Sequence, residues 1–133
     1  MNMKLIGKIL AGLLALVVLA SAFGYIFNLD VLSESSGVMG VDNWGRANLR
    51  ANMGGPLLFV AIIFAFGIFA NRTQFIHVGI FYFGSVIFGR VVSMIFDGFD
   101  ASNMRGIIFA AVMLAINVAA YLLISRGEKA AEA

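Results

Sequence analysis

Four long apolar runs, parted by short polar stretches, constrain this 133-residue chain more than any other feature. They cover roughly residues 5–27, 50–70, 75–96 and 104–124. A helix rises about 1.5 Å per residue, so each run is long enough to cross the ~30 Å hydrocarbon core of a bilayer. Hydrocarbon offers no partner to backbone N–H and C=O groups, which leaves the helix as the conformation for such runs. Composition agrees: 62% of residues are apolar and 12% charged, against about 45–50% and about 25% in soluble domains. The expected fold is all-α, a four-helix transmembrane bundle forming a single integral membrane domain over 1–133. The chain has no cysteine, which excludes disulfides and thiolate metal sites.

The first run opens with Lys4 and Lys8, and Ala20-Ser21-Ala22 has the shape of a signal-peptide cleavage site. Apolarity continues through residues 23–27, which predicts a retained helix instead. Residues 28–48 form a polar connection, rich in serine at 33, 35 and 36, in which Asp42 or Asn43 can cap a helix carrying Trp44 at headgroup level. Counted from Pro56, the second run leaves only 15 residues to Ala70, too few to cross. Helix must extend back across Gly54 and Gly55 to about Arg50, with a kink, because Pro56 has no N–H for the Asn52 carbonyl. Residues 71–74 are expected as a tight turn and 97–103 as an acidic turn, with Asp100 or Ser102 as caps. The tail beyond Ser125 is expected to fray. Small residues spaced by four let helix backbones approach closely. The sets Gly7/Ala11/Ala15, Ala111/Ala115/Ala119 and Ser85/Gly89 are therefore expected in helix interfaces, the first two against each other.

Four spans put both termini on one side. That side holds five basic residues, Lys4, Lys8, Arg72, Arg126 and Lys129. The other holds four, Arg46, Arg50, Arg90 and Arg105, among the acids Asp30, Glu34, Asp42, Asp97 and Asp100. Basic residues favour the cytoplasmic side, so both termini are expected there.

Arg90 stands about six residues, or roughly 9 Å of helix, inside the outer end of the third run. Asp97 lies on the same helical face two turns on, with Ser93 between. Three readings fit: an ion pair with Asp97 that fixes the bundle, half of an anion site, or a snorkelling side chain. Arg50 enters from the same side. Two guanidiniums brought together call for a carboxylate, phosphate or sulfate between them. The expected ligand-binding set is Arg50, Asn52, Arg90, Ser93 and Asp97, an extracytoplasmic polar pocket for an anionic lipid headgroup or small organic anion.

The remaining polar residues have plainer roles. His77, the only histidine, reads as an interface residue rather than a metal ligand or proton relay. Asn117 reads as glue seeking a partner across the bundle, worth about 0.6 kcal/mol. Tyr25, Tyr82 and Tyr121 read as interface or core aromatics. The phenylalanines of runs two and three read as lipid-facing or core, or as the lining of a slot for an acyl tail. No nucleophile–base pair, metal-ligand cluster or phosphate loop is present in the sequence, and no basic-aromatic interleaving points to nucleic acid. No enzymatic activity and no cofactor are expected.

The pattern Leu49-Arg50-Ala51-x-x-Gly54-Gly55, then a Phe/Ile-rich helix, then Gly89-Arg90-x-x-Ser93 and Asp97-Gly98 resembles a bacterial domain-of-unknown-function family of small four-helix inner-membrane proteins. The resemblance spans the four runs, with its specific residues between Leu49 and Gly98. Members of that family often carry an acid where this chain has Asn52. The resemblance implies a four-helix membrane protein and supplies no activity. The expected partners are membrane lipids. The alternative is an accessory subunit of a larger membrane complex, its arginines serving as internal ion pairs; small-residue stripes left facing outward would favour that alternative.

Overall fold

Each apolar run is helical, and so is most of what lies between them. The computed structural model describes residues 2–38, 40–70 and 72–132, without the side chains of 33, 35, 36, 131 and 132. The elements are α1 (Met3–Phe27), α2 (Leu29–Ser36), α3 (Asn43–Leu49), a π-helical turn (Arg50–Gly54), α4 (Gly55–Phe69), a 3-10 turn (Thr73–Ile76), α5 (His77–Phe96) and α6 (Ala101–Glu132). Four segments are long and apolar enough to cross a membrane: Met3–Phe27, Asn43–Phe69, Thr73–Phe96 and Ala101–Ala130. They point to an integral membrane protein.

The helix starts follow from side-chain caps that satisfy otherwise unpaired N–H groups. Asn2 Oδ1 accepts from the Lys4 N–H at 3.1 Å. Asp42 Oδ1 accepts from Gly45 at 2.7 Å and so starts α3. Asp100 Oδ2 accepts from Asn103 at 2.9 Å and so starts α6. Just before it, Gly98 takes φ +93°, a turn conformation that suits glycine.

By packing, the chain divides into two compact units, Ala15–Ile62 and the pair of segments Met1–Leu14 and Ile63–Ala133. In the second of these, Ala11, Ile76, Ala120 and Ile124 form a buried cluster, against which Leu10, Ile68 and Tyr121 pack. Gly7 allows the approach of α6: a Cβ there would lie 2.6 Å from Ile124 Cγ1 and 2.8 Å from the Ala120 carbonyl oxygen. In the unit Ala15–Ile62, Val18, Ala22 and Tyr25 of α1 and Leu29 of α2 are buried. Gly54 lies against Ile26, whose Cγ1 would be 2.7 Å from an added Cβ.

Four features differ from expectation. The connection at 28–48 contains α2, because Leu29 is buried and Leu32 packs onto Gly24 of α1, giving the polar segment an apolar face to fold on; the side chains of Ser33, Ser35 and Ser36 lie outside those described. Of the expected turn 71–74, Asn71 lies outside the described residues, and Thr73 and Gln74 open the 3-10 turn that leads into α5. The tail beyond Ser125 continues as helix to Glu132. It is tied down: Glu128 pairs with Lys4 at 3.5 Å and accepts from Thr73 Oγ1 at 2.6 Å. Finally, Ala111 and Ala115 are exposed, as are Ser85 and Gly89. The buried face of α6 runs through Ala110, Asn117, Ala120 and Ile124. An alanine-rich helix carries small residues on several faces, so a spacing of four does not choose among them.

Candidate arginine sites

In the unit Ala15–Ile62, Arg50 opens the π-helical turn. The Gly55 N–H reaches the Arg50 carbonyl, five residues back rather than four. Pro56 cannot serve the Asn52 carbonyl, and the expected break takes this form, a wider turn of the kind often found at functional positions. Arg50 is exposed, and its Nε donates to the Ile26 carbonyl oxygen at 3.0 Å. That carbonyl sits in the last turn of α1, where helical partners run out. Among the described residues, the two Nη groups of Arg50 and the side chain of Asn52 have no hydrogen-bond partner. One turn earlier, Arg46 grips Asp30 with both Nη groups, Nη2 to Oδ2 at 3.1 Å. The hydrogen bond from Arg46 holds the Asp30 carboxyl below its usual range; desolvation opposes it, and the charges of Arg46 and Arg50 add smaller help.

In the other unit, Arg90 is half-buried on α5. Its Nη1 donates to Asn103 Oδ1 at 3.1 Å, and Asn103 Nδ2 donates back to the Arg90 carbonyl oxygen at 3.0 Å. Asn103 is itself fixed, since its backbone N–H is held by the Asp100 cap. The guanidinium rests on Gly106, where any Cβ would overlap Cζ and Nη1. Asp97 does not pair with Arg90; it accepts from Ser93 Oγ at 2.9 Å. Among the described residues no carboxylate lies within ion-pair distance of Arg90 or of Arg50, and the ion pairs formed are Lys4–Glu128 and Arg46–Asp30. Of the three readings for Arg90, the ion pair with Asp97 is replaced by a clasp to a neutral amide. Ser93 satisfies Asp97 one turn away within α5, leaving the carboxylate at the exposed end of the helix.

No protein-family model matches the chain, and neither a curated protein nor a solved structure is detectably similar to it. What the arginines can do therefore rests on their surroundings alone. Of the expected set, Arg50 and Asn52 fall in one unit and Arg90, Ser93 and Asp97 in the other. In each unit a guanidinium is oriented by an uncharged oxygen and keeps its full charge. Such a group has an oriented guanidinium plane and, among the described residues, no carboxylate within ion-pair distance, which suits it to an external anion.

Asn103 and Gly106 were missing from the residues singled out in the sequence. Their signal was available: an amide and a glycine in the first two turns of a helix, directly after a short turn from an apolar helix bearing an arginine. Two other polar residues also differ or resolve. Asn117 is fully buried, and neither Nδ2 nor Oδ1 finds the expected partner across the interface. Gly79 opposite has no side chain to offer, and the Phe64 ring fills the remaining space. His77 stacks on Tyr121 with ring centroids 4.1 Å apart, as an interface residue would. The phenylalanines divide, with Phe64 and Phe83 buried and Phe59, Phe66, Phe69, Phe81 and Phe88 facing outward.

Proposed function

We propose that this chain is a non-enzymatic integral membrane protein that binds an anionic lipid headgroup or small organic anion at Arg50 and, as a site of its own, at Arg90. In this reading it forms a four-helix bundle in a bacterial inner membrane, termini cytoplasmic and the arginines toward the opposite face. The topology is supported by the five-to-four distribution of basic residues, and the bacterial setting by the resemblance drawn from the Arg50 and Arg90 motifs. The observation that carries the binding role is the choice of partner. Arg46 is neutralised by Asp30, whereas Arg50 and Arg90 are held by the Ile26 carbonyl and the Asn103 amide.

Native mass spectrometry of the purified protein, with Arg50→Gln and Arg90→Gln beside it, tests this. A retained anionic adduct that the substitutions remove, with helical content unchanged, is the expected result. No adduct on the unaltered protein, together with lost stability in either variant, would make the arginines purely structural. A second reading, an accessory subunit that packs against a larger membrane complex, is favoured by the outward-facing Ser85/Gly89 and Ala111/Ala115 pairs. Small pairs of this kind let another helix approach closely.

A further inference from the structure

We propose that the anion held at Arg50 is the phosphodiester of a membrane lipid, whose acyl chains lie along the uncovered apolar side chains of the same unit. This rests on Arg50 being an anion site and names the class of ligand.

Charge comes first. Arg46 is neutralised by Asp30, whereas the Arg50 guanidinium is held by the Ile26 carbonyl and meets no carboxylate within ion-pair distance among the described residues, so one positive charge stands there. A phosphodiester carries one negative charge and cancels it. A phosphomonoester, at about −1.5 to −2 near neutrality, overshoots. A choline headgroup brings its own cation to a guanidinium that is already positive.

Donor geometry is the second consideration. Nε of Arg50 is committed to Ile26, which fixes the guanidinium plane and leaves Nη1 and Nη2 as an end-on fork. A fork of this kind matches two oxygens of one phosphate.

The surrounding surface identifies the source. Within the same unit, Phe27 is 76% exposed, Val41 97% and Trp44 74%. Val31 and Met53 are also uncovered. A phosphate ion from solution would use none of this surface. A lipid places its glycerol and acyl chains there, and an indole ring is at home beside the headgroup.

Trp44 is the only tryptophan and reports on this unit directly. The full chain, delipidated in detergent, is titrated with brominated phosphatidylglycerol, brominated phosphatidylcholine and inorganic phosphate, followed by Trp44 quenching and native mass spectrometry. The expected result is one phosphatidylglycerol bound about tenfold or more above phosphatidylcholine, unaffected by millimolar phosphate. Arg50→Gln should weaken it about ten- to a hundredfold, the range for removing a hydrogen bond to a charged group. Arg50→Lys keeps the charge and loses the fork, so it should fall between the two and covers the case in which Arg50→Gln does not fold. Inorganic phosphate that binds alone or displaces the lipid would overturn the lipid assignment and leave the anion reading standing. Equal affinity for both lipids, unchanged in the Arg50 variants, or binding of none of the three, would overturn both.

Discussion

Arg90→Gln and Asn103→Leu, made singly and together, measure the clasp on which the argument for Arg90 depends. The two bonds are not equivalent. Nη1 to Asn103 Oδ1 at 3.1 Å uses the guanidinium, whereas Asn103 Nδ2 at 3.0 Å uses the Arg90 backbone. The second therefore survives Arg90→Gln and is lost in Asn103→Leu. The coupling in a double-mutant cycle then reports the charge-assisted bond alone, about 1.5–3 kcal/mol in general. Polar groups find substitute partners in a bilayer, which pulls interhelical values toward about 0.6–1.7 kcal/mol. We expect a coupling of about 1 kcal/mol, with Asn103→Leu costing more than Arg90→Gln. The latter is cheap because it also removes an uncompensated charge, itself unfavourable by about 2.5–3.5 kcal/mol at the centre of a span. Reversible unfolding in mixed micelles, as a function of dodecyl sulfate fraction and followed by circular dichroism, supplies the free energies. A coupling below about 0.3 kcal/mol, the scatter expected of independent sites, would mean that the side chains do not meet and would remove the basis for an oriented guanidinium. A cost of about 3–5 kcal/mol for Arg90→Gln would indicate a carboxylate partner, and Arg90 would be half of an ion pair after all.

Two further outcomes follow from the same physical reasoning. Gly7→Ala should destabilise by about 1–2 kcal/mol in that assay, since overpacking costs about 1–3 kcal/mol against a helix-propensity gain of about 0.5–1; one atom it meets at 2.8 Å is a backbone oxygen that cannot rotate away. Gly84→Ala, with nothing within 4 Å of the new Cβ, should stabilise by about 0.5–1 kcal/mol; equal effects at the two positions would refute the α1–α6 contact. The Asp30 carboxyl, held low by its hydrogen bond from Arg46, contributes stability that is present above the ordinary carboxylate pKa and lost as pH falls through the depressed native value. Acidification below about pH 4 should therefore shift Trp44 emission, and Asp30→Asn should show the shifted emission already at neutral pH; an unchanged spectrum in both would mean that the pair does not organise this unit.

The spans were legible because a membrane selects for little beyond apolar length, and length is written directly in the sequence. Caps were legible for a similar reason. Asp42 and Asp100 stand three residues before the N–H groups they bind, a purely local relation. What escaped was decided between helices. Nothing in α6 alone tells the buried Ala120 from the exposed Ala111, because burial there depends on Gly7 and Ala11 arriving from α1. The partner of Arg90 escaped because an acid at Asp97, two turns along the same face, was the stronger local signal. Ser93 lies between them and takes the carboxylate first. Asn117 shows the reverse error: an amide in mid-span implies a partner, and close packing at Gly79 left it none.

The contrast among the arginines then bears on function through its cost. A guanidinium in an apolar setting is unfavourable unless its charge is met, and elsewhere in the chain one is met, Arg46 by Asp30. At Arg50 and Arg90 it supplies neutral oxygens instead, which satisfy single N–H groups and fix the plane of each side chain but leave the charge standing. Orientation without neutralisation would be a poor solution if stability were the only demand, since one carboxylate would provide both. It is a sound solution if the neutralising group arrives from outside, because a carboxylate already in place would compete with it. Fixed neutral partners hold the donors ready and leave the electrostatic gain to the ligand.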